Sequence, residues 1–224
     1  MESHSGDFLP RFRPTAHGFR RFKTVTDAPS SSTPRRLVVG ISGASGVAYG
    51  VRVLDALKAL GVESHLVISR AALLTLSQET DLTPDDVTGR ADVVHRINDV
   101  GATIASGSFR TMGMIIAPCS VRTMSEIATG VTSTLLTRAA DVVLKERRTL
   151  VLMVRETPLH LGHLRTMTAL AEMGAVIAPP LPAMYARPES VEQIIDQSVG
   201  RALDLFGLDW DAVRRWNGLQ GAEA

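Results

Sequence analysis

A doubly wound parallel sheet covered by helices on both faces, in a single three-layer α/β/α domain, is the fold class this sequence predicts. Three observations carry the prediction. Short runs of β-branched and aliphatic residues alternate along the chain with longer segments of helical period. Those runs are apolar at nearly every position, as strands buried on both faces are. The core must be aliphatic, because 45% of residues are hydrophobic but only 4% are aromatic.

The elements follow in order. Leu37–Ile41 is a buried strand, Gly43–Gly46 a turn, and Val47–Leu60 a helix with Val51, Leu54, Leu57 and Leu60 on one face. Ser64–Ser69 is a second strand and Arg70–Glu79 a helix, whereas residues 80–110 are less regular. Met114–Pro118 is a third strand, followed by helices over Val121–Ala128 and Thr134–Arg147. Leu150–Val154, a helix over His160–Met173, and Ala175–Ala178 continue the alternation. Pro179–Pro182 is a rigid loop, and Val191–Phe206 a last helix stopped by Gly207.

A chain of 224 residues can bury a full core in one domain. Residues 1–36 carry seven of the 24 Lys/Arg and three of the 23 Asp/Glu, leaving a body with 17 basic and 20 acidic groups. Such a body is not a nucleic-acid binder, and no apolar run reaches the ~18 residues of a membrane span. Residues 1–35 lack a hydrophobic stretch and read as a disordered basic tail, not a secretory signal; Glu2, Asp7 and Asp27 argue against a transit peptide. The domain is expected over 36–208, with a C-terminal extension over 209–224. Cys119, the single cysteine, excludes an internal disulfide, suits a cytoplasmic setting and reads as a structural thiol.

Open parallel sheets bind ligands at the carboxyl ends of their strands. Gly40-Ile-Ser-Gly43-Ala-Ser45-Gly46 occupies such an end and is either a tight packing turn or a place where backbone N–H groups meet a phosphate. It is neither G-x-G-x-x-G nor a Walker A motif. Ser69 ends the second strand where a nicotinamide site wants an acid, which argues against a nicotinamide and leaves room for a flavin or another ligand. Ser120-Val-Arg122-Thr123 fits a helix cap and equally a phosphate cradle. Arg138 and Lys145 share a helix face, and Arg155-Glu156 directly follows a hydrophobic strand. The segment Arg138–Pro158 is therefore expected to bring three cations and one carboxylate into one neighbourhood. Glu156 is either half of a structural pair or a proton-transfer group in a partly apolar cleft. Arg147 and Arg148 read as surface charge. Tyr185 and Arg201 suit either packing or a phosphate ester, and His160 and His163, without a third ligand at suitable spacing, read as capping or surface residues, so no metal is expected.

Taken together, Gly43-Ala-Ser45-Gly46, Ser106–Thr111, Gly113-Met114, Pro118-Cys-Ser120, Thr123, Arg138-Ala-Ala-Asp141, Leu144–Arg147, Arg155-Glu156-Thr-Pro158, His163-Leu164, Pro182–Pro188 and Arg201 resemble the UbiX family of flavin prenyltransferases, formerly described as small subunits of aromatic acid decarboxylases. The resemblance runs from about Arg36 to Leu208. It implies a Rossmann-like, homododecameric flavoprotein that joins a dimethylallyl group from dimethylallyl phosphate to N5 and C6 of reduced FMN. The product, prenylated FMN, serves UbiD-type decarboxylases. Carried over by motif, Gly43, Ala44, Ser45, Ser69, Ser120, Val121, Arg122, Thr123 and Arg155 bind FMN. Lys145, Tyr185 and Arg201 hold the prenyl phosphate with Arg138 close by, while Ser45 and Glu156 assist proton movement. Met112 and Met184 depart from residues common in the family, acidic at the first and Phe or Leu at the second.

Two other classes compete. Cysteine-decarboxylase flavoproteins carry a histidine after the second strand and a Pro-x-Met-Asn motif; here Ser69-Arg-Ala71 stands there and no Met-Asn pair occurs. A non-catalytic flavin carrier would have no need of Ser45, Lys145, Glu156, Tyr185 and Arg201 together. Direct decarboxylation lacks any electron sink beyond the flavin.

Overall fold

Residues 35–216 and 218 are described by the computed structural model. Within them, six strands form one all-parallel sheet: β1 (Arg36–Ile41), β2 (Glu63–Ile68), β3 (Val93–His95), β4 (Gly113–Cys119), β5 (Thr149–Val154) and β6 (Val176–Ile177). The spatial order is β3-β2-β1-β4-β5-β6, the Rossmann order. Six α-helices lie between them and a seventh follows β6: α1 (Val47–Ala59), α2 (Arg70–Glu79), α3 (Pro84–Thr88), α4 (Val121–Ala128), α5 (Leu135–Lys145), α6 (Leu161–Glu172) and α7 (Val191–Leu203).

The strand residues split by parity between two cores. Leu37, Val39 and Ile41 of β1 meet Leu54 and Leu57 of α1 and Leu203 of α7. Val38, Met114, Ile116 and Leu152 meet Met124 of α4, Leu136 and Ala140 of α5, and Leu170 of α6. Both faces are thus dry, which is why the strands read as unbroken apolar runs. Truncating a wholly buried side chain such as Leu54 to alanine costs about 2–5 kcal/mol.

Three details differ from the sequence expectation. The irregular stretch 80–110 contains α3, started by a Thr83–Asp86 capping box with Pro84 in the first turn, and the edge strand β3. The helix expected to reach Arg147 stops at Lys145, because Arg147 turns left-handed at φ 54°. The last helix gives way at Asp204 to a 3₁₀ turn ending at Gly207, φ 68°. The expected tail, apart from Arg35, and the end of the C-terminal extension lie outside the described residues.

Candidate functional site

The strand order reverses between β1 and β4, and the loops leaving these strands meet there. Ser42 Oγ donates to Pro118 O at 2.9 Å and accepts Ser120 N–H at 2.8 Å. Pro118 cannot donate to a ladder, and the β4–β5 register slips beside it between Ile116 and Cys119. Its carbonyl is used instead by Ser42, which fixes the two loops against each other.

Beside this junction lies a cavity of about 350 Å³ lined by Gly43, Ser69, Asn98, Ser120, Arg122, Thr123 and Thr134, among others. Gly43 is required: a Cβ there would lie 2.3 Å from Ala71 Cβ at the start of α2. Three helices begin at the cavity, each with a hydroxyl cap. Ser69 accepts Ala72 N–H at 3.1 Å, Ser120 accepts Thr123 N–H at 3.2 Å, and Thr134 accepts Thr137 N–H at 3.4 Å. Their remaining first-turn N–H groups and aligned dipoles favour an anion. The three cap residues therefore also line the cavity. Val121 is the first residue of α4, and Arg122 leans outward, its side chain 83% exposed and paired with Glu126.

The turn after β1 is closed by a carboxylate from α2. The N–H groups of Gly46 and Val47, at the start of α1, are not free for a phosphate: both donate to Glu79 Oε2, at 2.8 and 3.0 Å. Gly46 reaches this geometry at φ 98°. Burial pushes the Glu79 carboxyl up, but hydrogen bonds from the Ser45 side chain and these two N–H groups, with Arg155 nearby, hold it below its ordinary value. Ala44 N–H turns back to Ser42 O, and Arg155 Nε donates to Ser45 O at 3.2 Å. Ser45, Glu79 and Arg155 thus form one hydrogen-bonded and charged group at the strand ends. No sequence signal marks Glu79, whose partners are more than 30 positions away.

The expected gathering of Arg138, Lys145, Arg155 and Glu156 does not occur within one chain. A helix between parallel strands runs antiparallel to them, so α5 starts at the carboxyl ends and delivers Lys145 to the amino end of β5. Arg155 and Glu156 lie at the other end of that strand, ~17 Å along the sheet. Lys145 pairs there with Glu146, and Arg138 pairs with Asp141. Glu156 is exposed in the single chain and accepts the N–H of Thr157 at 3.0 Å. Arg148 is not idle surface charge either. It donates to the carbonyls of Gly107 and Phe109, at 2.6 and 2.8 Å, and so pins the Ser106–Thr111 loop.

Tyr185 and Arg201 each lie beside Gln197 of α7. Tyr185 OH contacts Gln197 at 3.1 Å, and Arg201, one turn further along α7, lines a cleft of about 150 Å³ with Gln197, Pro179 and Leu181. Arg201 pairs with Asp204, which Arg215 also grips. Met184 is 68% exposed and Met112 packs against the core. His160 caps α6 through Nδ1 and stacks on His163. Among the described residues no group of three or more His, Cys, Asp or Glu is arranged to hold a metal ion, and no helix is long and apolar enough to cross a membrane.

The Flavoprotein family model matches residues 25–203. The flavin prenyltransferase UbiX of Thauera aromatica is 59% identical over 188 residues, 84% of this chain and 97% of that one. The crystal structure of AnUbiX (PadA1) in complex with FMN and dimethylallyl pyrophosphate superposes with a TM-score of 0.82 at 53% identity, covering 83% of this chain and 99% of the other. The dodecameric FMN-dependent UbiX-like decarboxylase from Escherichia coli O157:H7 gives a TM-score of 0.80 at 49% identity, over 82% of this chain and 100% of that one.

Proposed function

The chain belongs to the UbiX family of flavin prenyltransferases, and from that premise we propose that it joins a dimethylallyl group from dimethylallyl phosphate to N5 and C6 of reduced FMN, releasing phosphate. The observation that carries this is the switch-point cavity, where three capped helix starts offer hydroxyl and N–H donors to a flavin phosphate. Its volume suits a small-molecule site. Bound reduced flavin supplies the nucleophilic positions, so the chain has only to orient it, hold the leaving phosphate and move protons.

In this reading Ser69, Ser120 and Thr123 hold the FMN phosphate, with Val121 and Arg122 at the same helix start. Gly43, Ala44, Ser45 and Arg155 border the ring. Ser45 relays a proton with Glu79, and Glu156 handles a second. Arg201 and Tyr185 hold the prenyl phosphate, whose departure needs cations. Lys145 and Arg138 serve the same phosphate from a second copy, since one chain carries Lys145 to the far end of its sheet. A homododecamer, the state of the Escherichia coli O157:H7 relative, provides such copies. The prenylated FMN passes to UbiD-type decarboxylases, and the single buried thiol suits a cytoplasmic enzyme.

The test is anaerobic phosphate release. Purified protein with reduced FMN and dimethylallyl phosphate is expected to release one phosphate per flavin consumed. Release that does not depend on reduced flavin contradicts the proposal.

A further inference from the structure

Gln197 is a buried polar residue, 5% exposed, for which neither flavin binding nor phosphate binding supplies a role. Its carboxamide meets three partners. Oε1 accepts Arg214 N–H at 2.9 Å, while Nε2 donates to Arg214 O at 3.1 Å and to the Tyr185 hydroxyl oxygen at 3.1 Å. The backbone of Arg214 fixes the orientation of the amide, because a carbonyl only accepts and an N–H only donates. Reversing it would set like against like at both contacts. One Nε2 hydrogen is thereby committed to Arg214 O, and the other has the Tyr185 oxygen as its acceptor. The phenol oxygen accepts this bond, so its own proton points away from Gln197.

The segment carrying Arg214 holds the arrangement in place. Trp210 and Val213 are buried, with Val213 against Gly200 of α7. Arg214 Nη1 donates to Ala186 O at 3.1 Å, and Trp216 meets Tyr185 edge to face with ring centroids 5.7 Å apart.

We propose that Gln197 is a positioning residue that makes the Tyr185 hydroxyl an obligate donor toward the phosphate of the prenyl substrate. This rests on Tyr185 and Arg201 being the phosphate-binding pair. A phosphate presents acceptor oxygens, so a hydroxyl whose proton is directed outward binds it. A hydroxyl whose proton is captured by the protein would meet it with lone pairs. Arg201, one turn from Gln197 on α7 and lining a cleft with it, adds a cation to the same end of the helix.

The experiment compares KM and kcat for dimethylallyl phosphate in the full-length enzyme carrying Gln197→Glu, Tyr185→Phe, or both, with FMN affinity as the folding control. A glutamate at 197 accepts from Tyr185 and turns its proton inward. Gln197→Glu and Tyr185→Phe are each expected to raise KM about tenfold, with FMN affinity held within about twofold and the double variant no worse than Tyr185→Phe alone. Should Gln197→Glu lose FMN, Gln197→Leu takes its place; if both lose it, Gln197 is structural and the proposal falls. Independent, multiplying effects, or no KM change in the Gln197 variant, overturn the proposal while leaving Tyr185 as a phosphate ligand. An unchanged KM in Tyr185→Phe instead overturns the phosphate reading of Tyr185, and the proposal with it.

Discussion

Ser42 Oγ accepts the backbone N–H of Ser120 at 2.8 Å, so one buried hydroxyl joins the loops after β1 and β4 beside the switch-point cavity. Ser42→Ala leaves that N–H without its partner. The expected loss is about 1–3 kcal/mol of stability, read by urea denaturation, together with weaker FMN binding because Ser120 caps the helix that faces the cavity.

Glu79 gives a pH signature. Its carboxyl is held below the ordinary value of 4.5, so its contribution is complete above that value and is lost as pH falls through the lowered one. Glu79 is exposed, which limits the effect to about 1 kcal/mol or less. Glu79→Gln is expected to flatten this part of the acid limb of a stability–pH profile. Turnover is expected to fall about 100-fold with FMN still bound, if Glu79 relays the Ser45 proton.

Cys119 is expected to be inert. It is buried at the end of β4 and burial pushes its thiol up to about 12. Iodoacetamide at pH 8 is expected to leave the native protein unlabelled and to label it in urea, as mass spectrometry of the intact chain would record.

Lys145→Gln and Arg155→Gln test the sharing of sites between copies. Each variant alone is expected to be nearly inactive. Oligomers reassembled from a mixture are expected to regain activity, because some sites then receive Lys145 from one copy and Arg155 from another. Absence of any recovery in verified mixed oligomers contradicts the shared site.

The sequence carried five of the six strands, since strands buried on both faces appear as apolar runs. It concealed β3, whose three residues are too few for a periodic signal and whose Val94 is exposed at the sheet edge. Gly43, Ser69, Ser120 and Thr123 were legible because strand-end turns and helix caps are local patterns. Thr134 had the same cap signal, although only its helix was recognised. Glu79 and Asn98 carry no local mark and reach their places through tertiary folding. The grouping of Lys145 with Arg155 came from closeness in sequence, which a helix antiparallel to its following strand turns into separation.

Formation of a covalent flavin adduct by this chain is read from the mass of the flavin recovered after anaerobic incubation of the protein with reduced FMN and dimethylallyl phosphate. One five-carbon prenyl unit added to FMN is the predicted result. FMN recovered unmodified, with both the monophosphate and the diphosphate donor, would contradict it.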